Sequence, residues 1–296
     1  MNLLLTAWKA SRVLPRGVIR AGAGLGGWYV WVSRGKACVR LEQNLERVTG
    51  ATGRELRRLS RAGMSSVARY YAEMLELPRM TPAQIEARVR TVGVEPIKEA
   101  IARDGAAVVV LSHSGNWDLV GAYTCRMIAP VTSVAEVLKP REVFDQFVAV
   151  REGVGMRILG HEGSTTFRSL ISLGKSTGGV LALLADRDLS GSGVEVDFAG
   201  HRARVAPGPA ALSLAVGCEL YPLAVYYERL RGARRRAAGS RWGIVMDAGR
   251  AITVPDGTPK ADAVATLSAG WAAWMGERVR EHAVDWHMLQ RFGWVD

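Results

Sequence analysis

A histidine and an aspartate five residues apart, His113 and Asp118, stand in the segment Val108-Val-Val-Leu-Ser-His113-Ser-Gly-Asn-Trp-Asp118-Leu. The apolar run ahead of them has the composition of a buried strand, and Trp117 is expected to open a helix. His113 then falls two residues past the strand, where open α/β sheets place their ligands. If the turn folds the imidazole back over the first helical turn, Asp118 accepts a hydrogen bond from one ring nitrogen. The other nitrogen is left as a base. Such a pair suits removal of a proton from an alcohol that attacks an acyl thioester, with Asp118 stabilising the imidazolium. Gly115 and Asn116 let the backbone bend close to a substrate. The competing reading is an Asp-capped helix beside a buried histidine, and spacing alone does not separate the two.

The elements that must hold this pair alternate between strand and helix. Ile97–Arg103 reads as a helix, Asp104-Gly105 as a turn, and Ala106–Leu111 as a fully buried strand. Strands are predicted near Val131–Val137, Met156–Leu159, Val180–Leu184, Val194–Phe198, Glu219–Tyr227 and Gly243–Asp247. Helices are predicted at Arg141–Arg151, Thr165–Leu173 and from Lys260 to His282. This alternation implies an α/β fold with a mixed, largely parallel central sheet flanked by helices. Residues 41–78 carry apolar groups at three-to-four spacing and read as helices closed by Pro78. We therefore expect an N-terminal helical portion over 1–95 and an α/β core over 96–296, in one structural domain. The stretch Arg229–Arg241 reads as a basic hairpin loop between two strands.

The 296 residues are 48% hydrophobic and 23% charged, which suits a globular core and excludes a disordered or disulfide-stapled chain. Cys38, Cys125 and Cys218 show no Cys-x-x-Cys spacing, so neither a disulfide framework nor a cysteine zinc site is expected. The net charge is +11, and only six of the 39 basic residues are lysine. That balance favours an anionic partner. Near the N-terminus, Leu3, Leu4, Leu5, Trp8, Trp28, Tyr29 and Trp31 accompany Lys9, Arg12, Arg16 and Arg20. The three arginines would share one helical face, as in a segment lying on an anionic membrane surface. The uncharged run Ala21–Ser33 is well short of the about 20 residues that span a bilayer.

Other motifs are set aside. Gly22-Ala-Gly24-Leu-Gly-Gly27 lacks the preceding apolar strand of a dinucleotide site and reads as close packing of small residues. Gly174-Lys175-Ser176 follows a helix rather than a strand, so Gly174 reads as a helix C-cap. His161, His201, His282 and His287 show no metal-ligand spacing, and no metal is expected. The arginines of 229–241 lack interleaved aromatic residues, which disfavours nucleic acid as a partner.

His113 and Asp118 form the H-x4-D motif, and this chain resembles the glycerolipid and lipid A acyltransferase superfamily. Three further blocks follow in that family's order. They are Arg151-Glu-Gly-Val-Gly-Met-Arg-Ile, then Leu184-Ala-Asp186-Arg187-Asp188 with Gly193-Val-Glu195-Val-Asp-Phe-Ala-Gly200, and Ala206-Pro207-Gly208-Pro209-Ala210. The C-terminal Asp285-Trp286-His287-Met-Leu-Gln-Arg-Phe-Gly-Trp294 resembles the tail of the actinobacterial branch that acylates phosphatidylinositol mannosides. Glu162-Gly163-Ser164-Thr165 lacks the proline and arginine that mark glycerol-phosphate acyltransferases.

The resemblance implies transfer of a fatty acyl chain, palmitoyl in the branch it is nearest, from acyl-CoA to a sugar hydroxyl of a membrane glycolipid. Acyl-CoA is then a co-substrate, and no further cofactor is expected. It implies His113 as general base and Asp118 as its orienting partner. It also implies a peripheral location on the cytoplasmic face of the cell membrane. Lipid A-type or lysophospholipid acceptors are the rival substrates. Asn116, Trp117, Glu136, Arg151, Asp186, Arg187, Asp188 and Glu195 are assigned to substrate binding or support of the site. Glu136 sits at a strand end, and Arg151 shares a helical face with Phe144 and Phe147. Buried charges pair whether or not they take part in chemistry, so ion pairing is the alternative for each charged residue.

Overall fold

A computed structural model describes residue 8 and residues 13–188, 191, 193–259 and 261–295. Three helices come first: α1 (Arg16–Val32), α2 (Lys36–Thr49) and α3 (Gly53–Glu76). After a short 3-10 turn come α4 (Pro82–Arg88), β1 (Val89–Val92), α5 (Glu95–Asp104), β2 (Ala106–Leu111) and α6 (Trp117–Met127). The middle of the chain gives β3 (Val131–Ala135), α7 (Arg141–Gly153), β4 (Arg157–Gly160), α8 (Ser164–Ser176) and β5 (Gly179–Leu184). Then follow β6 (Val194–Phe198), β7 (His201–Val205), α9 (Gly208–Val216), β8 (Leu220–Arg229), α10 (Gly232–Ala238), β9 (Trp242–Ala248) and α11 (Ala263–Glu281).

Seven strands form one sheet in the order β1-β9-β8-β2-β5-β3-β4. Every neighbouring pair is parallel except β8 and β9. The α/β architecture with a largely parallel sheet thus matches the expectation. The sheet also takes in β1, which the sequence pattern missed and which lies ahead of residue 96. β6 and β7 make a separate antiparallel hairpin.

β2 is central, and all six of its residues are buried. Ala106, Val108 and Val110 point into one apolar cluster with Phe198, Trp271 and Trp286. Ala107, Val109 and Leu111 point into the cluster on the other face, with Ile97, Leu119 and Met246. A strand covered on both faces needs a continuous apolar run rather than an alternating one, which is why this segment could be read from sequence.

Three local expectations change. The basic stretch 229–241 is not a loop: it contains α10, whose Arg234 donates to the Ala87 carbonyl at 2.8 Å. Gly174 lies inside α8 rather than capping it, and a Cβ there would come within 2.9 Å of Leu181. The predicted glycine cluster lies within α1, where only Gly27 meets close neighbours, with a Cβ falling 2.8 Å from Ala68 on α3.

The basic face of the N-terminal segment is also redirected. Arg20 reaches Glu76 with two bonds of 2.7 and 2.6 Å, and Arg16 donates to Gln84. Both arginines are therefore turned onto the protein. The large hydrophobic side chains that α1 leaves exposed are Val18, Leu25, Trp28, Tyr29 and Val32. Leu3, Leu4, Leu5, Lys9 and Arg12 lie outside the described residues. Among the described residues, no helix is long and apolar enough to cross a membrane.

Candidate active site

β2 and β5 are adjacent, parallel and aligned, with Leu111 opposite Leu184. Two residues beyond each of these, at the carboxyl edge of the sheet, stand His113 and Asp186. The register carries past the strand ends, because the Ala185 amide donates to the Leu111 carbonyl. Asp186 is fully buried and accepts three hydrogen bonds. One comes from His113 Nδ1 to Oδ1 at 2.5 Å, one from the His113 amide to Oδ2 at 2.8 Å, and one from Trp286 Nε1 to Oδ2 at 3.0 Å. Burial alone would raise the carboxyl pKa. The His113 charge and these donors outweigh burial and hold it below the ordinary carboxylate range.

The imidazole therefore has a carboxylate partner, but it is Asp186 rather than the expected Asp118. Asp118 lies at the start of α6, fully buried, and accepts from Arg151 Nε at 2.6 Å and from the Tyr70 hydroxyl at 2.8 Å. The physical reason is direction. α6 starts with its first turn packed against α3 and α7, and Asp118 faces the guanidinium that α7 delivers. Burial works against the Arg151 charge, but Asp118 and Tyr70 more than offset it and hold its pKa above the ordinary value. Burial and the Asp118 charge push the Tyr70 phenol well up, so it stays a neutral donor.

The loop between β2 and α6 is clamped from several sides. Gly115 has φ of +59°, and a Cβ there would sit 2.7 Å from the Val225 carbonyl oxygen, so only glycine fits. Asn116 caps α6 by accepting from the Leu119 amide at 2.9 Å, and its amide nitrogen donates to Glu73 at 2.9 Å. Both ends of this buried side chain are thus engaged within the protein. Glu73 in turn pairs with Arg88 and accepts from the Tyr227 hydroxyl.

His113 stands at the wall of a cavity of about 650 Å³ whose lining is mostly apolar. Phe144, Phe147, Met156, Leu170 and Leu183 line it beside Trp117, and Trp8 packs on Phe147 at 5.4 Å between ring centres. The imidazole side chain is 27% exposed, and with Nδ1 committed to Asp186 its Nε2 is the free nitrogen. Glu136, Arg151, Arg187, Asp188 and His161 also line the cavity. Arg187 and Glu136 pair at 3.3 Å, and Asp188 accepts from the Gly193 amide at 2.7 Å.

The structure thus gathers His113, Trp117, Glu136, Arg151, Arg187 and Asp188 at one cavity, with Asp118 on the same wall. Asp186 lies directly behind the imidazole. Glu195 is not brought in: it sits on the β6–β7 hairpin, paired with Arg202. Sequence reasoning missed the parts played by Tyr70 and Trp286. Tyr70 sits amid an ordinary helical apolar stripe and gives no signal. Trp286 carries one, because it stands in the tail block Asp285-Trp286-His287 that resembles the family. A pair of this kind beside an apolar cavity can take a proton from a hydroxyl while a long alkyl group lies along the wall.

Residues 1–292 match the family model described as "Bacterial lipid A biosynthesis acyltransferase". The chain is 30% identical over 285 residues to a phosphatidylinositol mannoside acyltransferase of Mycolicibacterium smegmatis, covering 96% of this chain and 88% of that one. It is 31% identical over 288 residues to a phosphatidylinositol mannoside acyltransferase of Mycobacterium tuberculosis (strain CDC 1551 / Oshkosh), covering 96% and 85%.

Proposed function

This chain belongs to the bacterial lipid A biosynthesis acyltransferase family and is an O-acyltransferase, and we propose that it moves a fatty acyl chain, palmitoyl by preference, from acyl-CoA to a mannose hydroxyl of phosphatidylinositol mannoside. The reading of the acceptor is supported by relatives at about 30% identity that carry that activity in their names. The reading of the chemistry rests on one observation: the His113 imidazole, fixed through Nδ1, presents Nε2 to an apolar cavity large enough for a long alkyl chain.

In this mechanism His113 Nε2 accepts the proton of the sugar hydroxyl as its oxygen attacks the thioester carbonyl. The imidazolium that forms is stabilised by the Asp186 carboxylate. Collapse of the tetrahedral intermediate breaks the C–S bond, and the imidazolium returns its proton to the departing thiolate. Asp118 acts at one remove, ordering Arg151 on the cavity wall together with the buried Tyr70 hydroxyl. Arg187, which lines the cavity and can exchange Glu136 for an anionic ligand, suits the phosphates of the donor.

The protein is further proposed to bind the cytoplasmic face of the cell membrane peripherally. The exposed Val18, Leu25, Trp28, Tyr29 and Val32 of α1 support the apolar part of that contact, and the net charge of +11 its attraction to anionic lipid. The direct test supplies purified protein with palmitoyl-CoA and, in separate reactions, phosphatidylinositol mannoside, a lipid A precursor and a lysophospholipid. Acylation of the mannoside, lost in His113→Ala, is the expected result. Transfer to one of the other acceptors alone overturns the acceptor. A folded His113→Ala variant that keeps most of its rate overturns the base.

A further inference from the structure

The tail block Asp285-Trp286-His287 touches the His113 loop at every residue, yet it is absent from the cavity lining. The Gly115 amide donates to the Asp285 carbonyl at 2.8 Å, and the His287 amide donates to the His113 carbonyl at 2.7 Å. Between them, Ser114 and Trp286 pair as an isolated antiparallel bridge. The tail therefore adds a short strand-like strap to the loop that carries the imidazole.

Trp286 does more than pack. Its ring is fully buried among Phe198, Phe292 and Trp294, with ring centres 5.8, 5.2 and 6.4 Å away. A buried indole N–H needs an acceptor, and this one has the Asp186 carboxylate at 3.0 Å. Asp186 Oδ2 takes that bond together with the His113 amide, while Oδ1 takes His113 Nδ1. The indole thus fixes the carboxylate against rotation and, at Oδ2, draws charge away from the Oδ1 that holds the imidazole.

We propose that Trp286 is a positioning residue for the acyl-transfer reaction, setting through the Asp186 carboxylate both the orientation and the basicity of His113. This rests on the reading of His113 as the general base. An indole bolted into the aromatic core is a stiff support: it has two side-chain torsions and a donor whose direction the packing decides. With it, the carboxylate holds the Nδ1–H tautomer and leaves Nε2 free for the hydroxyl proton. Without it, Asp186 keeps its full charge for His113, which makes the imidazole a stronger base but holds it less firmly.

The test removes the indole N–H, in one variant with loss of ring volume and in a second with the shape kept. Trp286→Phe is the simple variant. Incorporation of β-(3-benzothienyl)alanine at position 286 is the second, because sulfur replaces the ring N–H with little change of volume and the core should still close. Acyl transfer from palmitoyl-CoA is followed from pH 5 to 9. For the isostere, kcat is expected to fall about tenfold with KM within about threefold. The acid limb of kcat/KM is expected to move up by about half a pH unit, a shift of about 0.7 kcal/mol in proton affinity. A limb that stays in place or moves down overturns the proposal, whether or not kcat falls, since a purely structural loss lowers the amount of active enzyme without shifting its limb. His113→Ala in the same assay separates the two failures. If that variant stays active, the reading of the base is wrong; if it is dead while the isostere keeps the wild-type rate and limb, Trp286 alone is wrong.

Discussion

His113 and Asp186, 73 residues apart in the chain, meet at 2.5 Å because they occupy equivalent positions two residues past the aligned ends of two adjacent parallel strands. The carboxylate reads both the backbone and the ring of one residue, and the Trp286 indole holds it from behind. The imidazole, although it stands on a loop, is thereby placed by the register of the sheet.

The two aspartates should separate by what they lose. Asp186→Asn removes the anion behind the imidazolium and is expected to lower kcat by about 10²–10⁴. Asp118→Asn leaves Arg151 buried with a weakened partner, so it should lower the unfolding midpoint. Its acid limb in the pH–rate profile should stay in place. Equal losses of rate with unchanged stability in both variants would show that the assignment of roles is mistaken.

Arg151 is expected to matter more for folding than for acidity. Arg151→Met strips the counter-charge from a fully buried Asp118 and should cost about 3–5 kcal/mol in chemical denaturation. A loss below about 1 kcal/mol would mean that water reaches Asp118 in solution.

The cavity should distinguish donors by length. Ala211 lines it, and Ala211→Phe places a ring in the space. KM for palmitoyl-CoA is expected to rise at least about tenfold, while transfer from acetyl-CoA changes less than about threefold. A uniform change across donor lengths would place the acyl chain elsewhere.

The exposed face of α1 makes a prediction in lipid. Replacing Leu25, Trp28 and Tyr29 together by serine is expected to weaken binding to vesicles rich in anionic lipid by at least about tenfold. Raising the salt from 0.1 to 0.5 M should weaken the wild-type protein as well. Binding that ignores both changes would argue against a peripheral membrane contact through this helix.

His287 gives the pH dependence of stability. It is buried against Tyr70 and Trp117 and bonded to Ser66, and burial, together with the charges of Arg69 and His113, lowers its pKa from 6.5 to about 3. The unfolded chain then binds a proton between those values that the folded chain refuses. Stability from this group is complete above pH 6.5 and drains away as pH falls toward 3. Asp285, also bonded to Ser66, is pushed the other way by burial, so the test compares variants rather than reading one curve. His287→Gln should flatten the fall of the unfolding midpoint between pH 6.5 and 4 relative to wild type. Parallel curves for the two proteins would show that His287 titrates normally.

The sequence by itself determined what depends on neighbours in the chain. The unbroken apolar run 106–111 marked a strand buried on both faces, and two more residues put His113 at its carboxyl end. The tail block around Trp286 was legible as a motif. Partner choice was not, because it depends on which strands lie side by side. Asp118 is close to His113 in the chain yet faces Arg151, while Asp186 reaches the ring only because β5 pairs with β2 in that register. Arg16 and Arg20 have the spacing of a basic face on a membrane surface, and only the packing of α4 and α3 reveals that they bond to Gln84 and Glu76. Local pattern fixes the type of each element and the phase of its faces. The pairing of charges across elements follows from packing order, since burying one charge makes the nearest opposite charge in space, not in sequence, its partner.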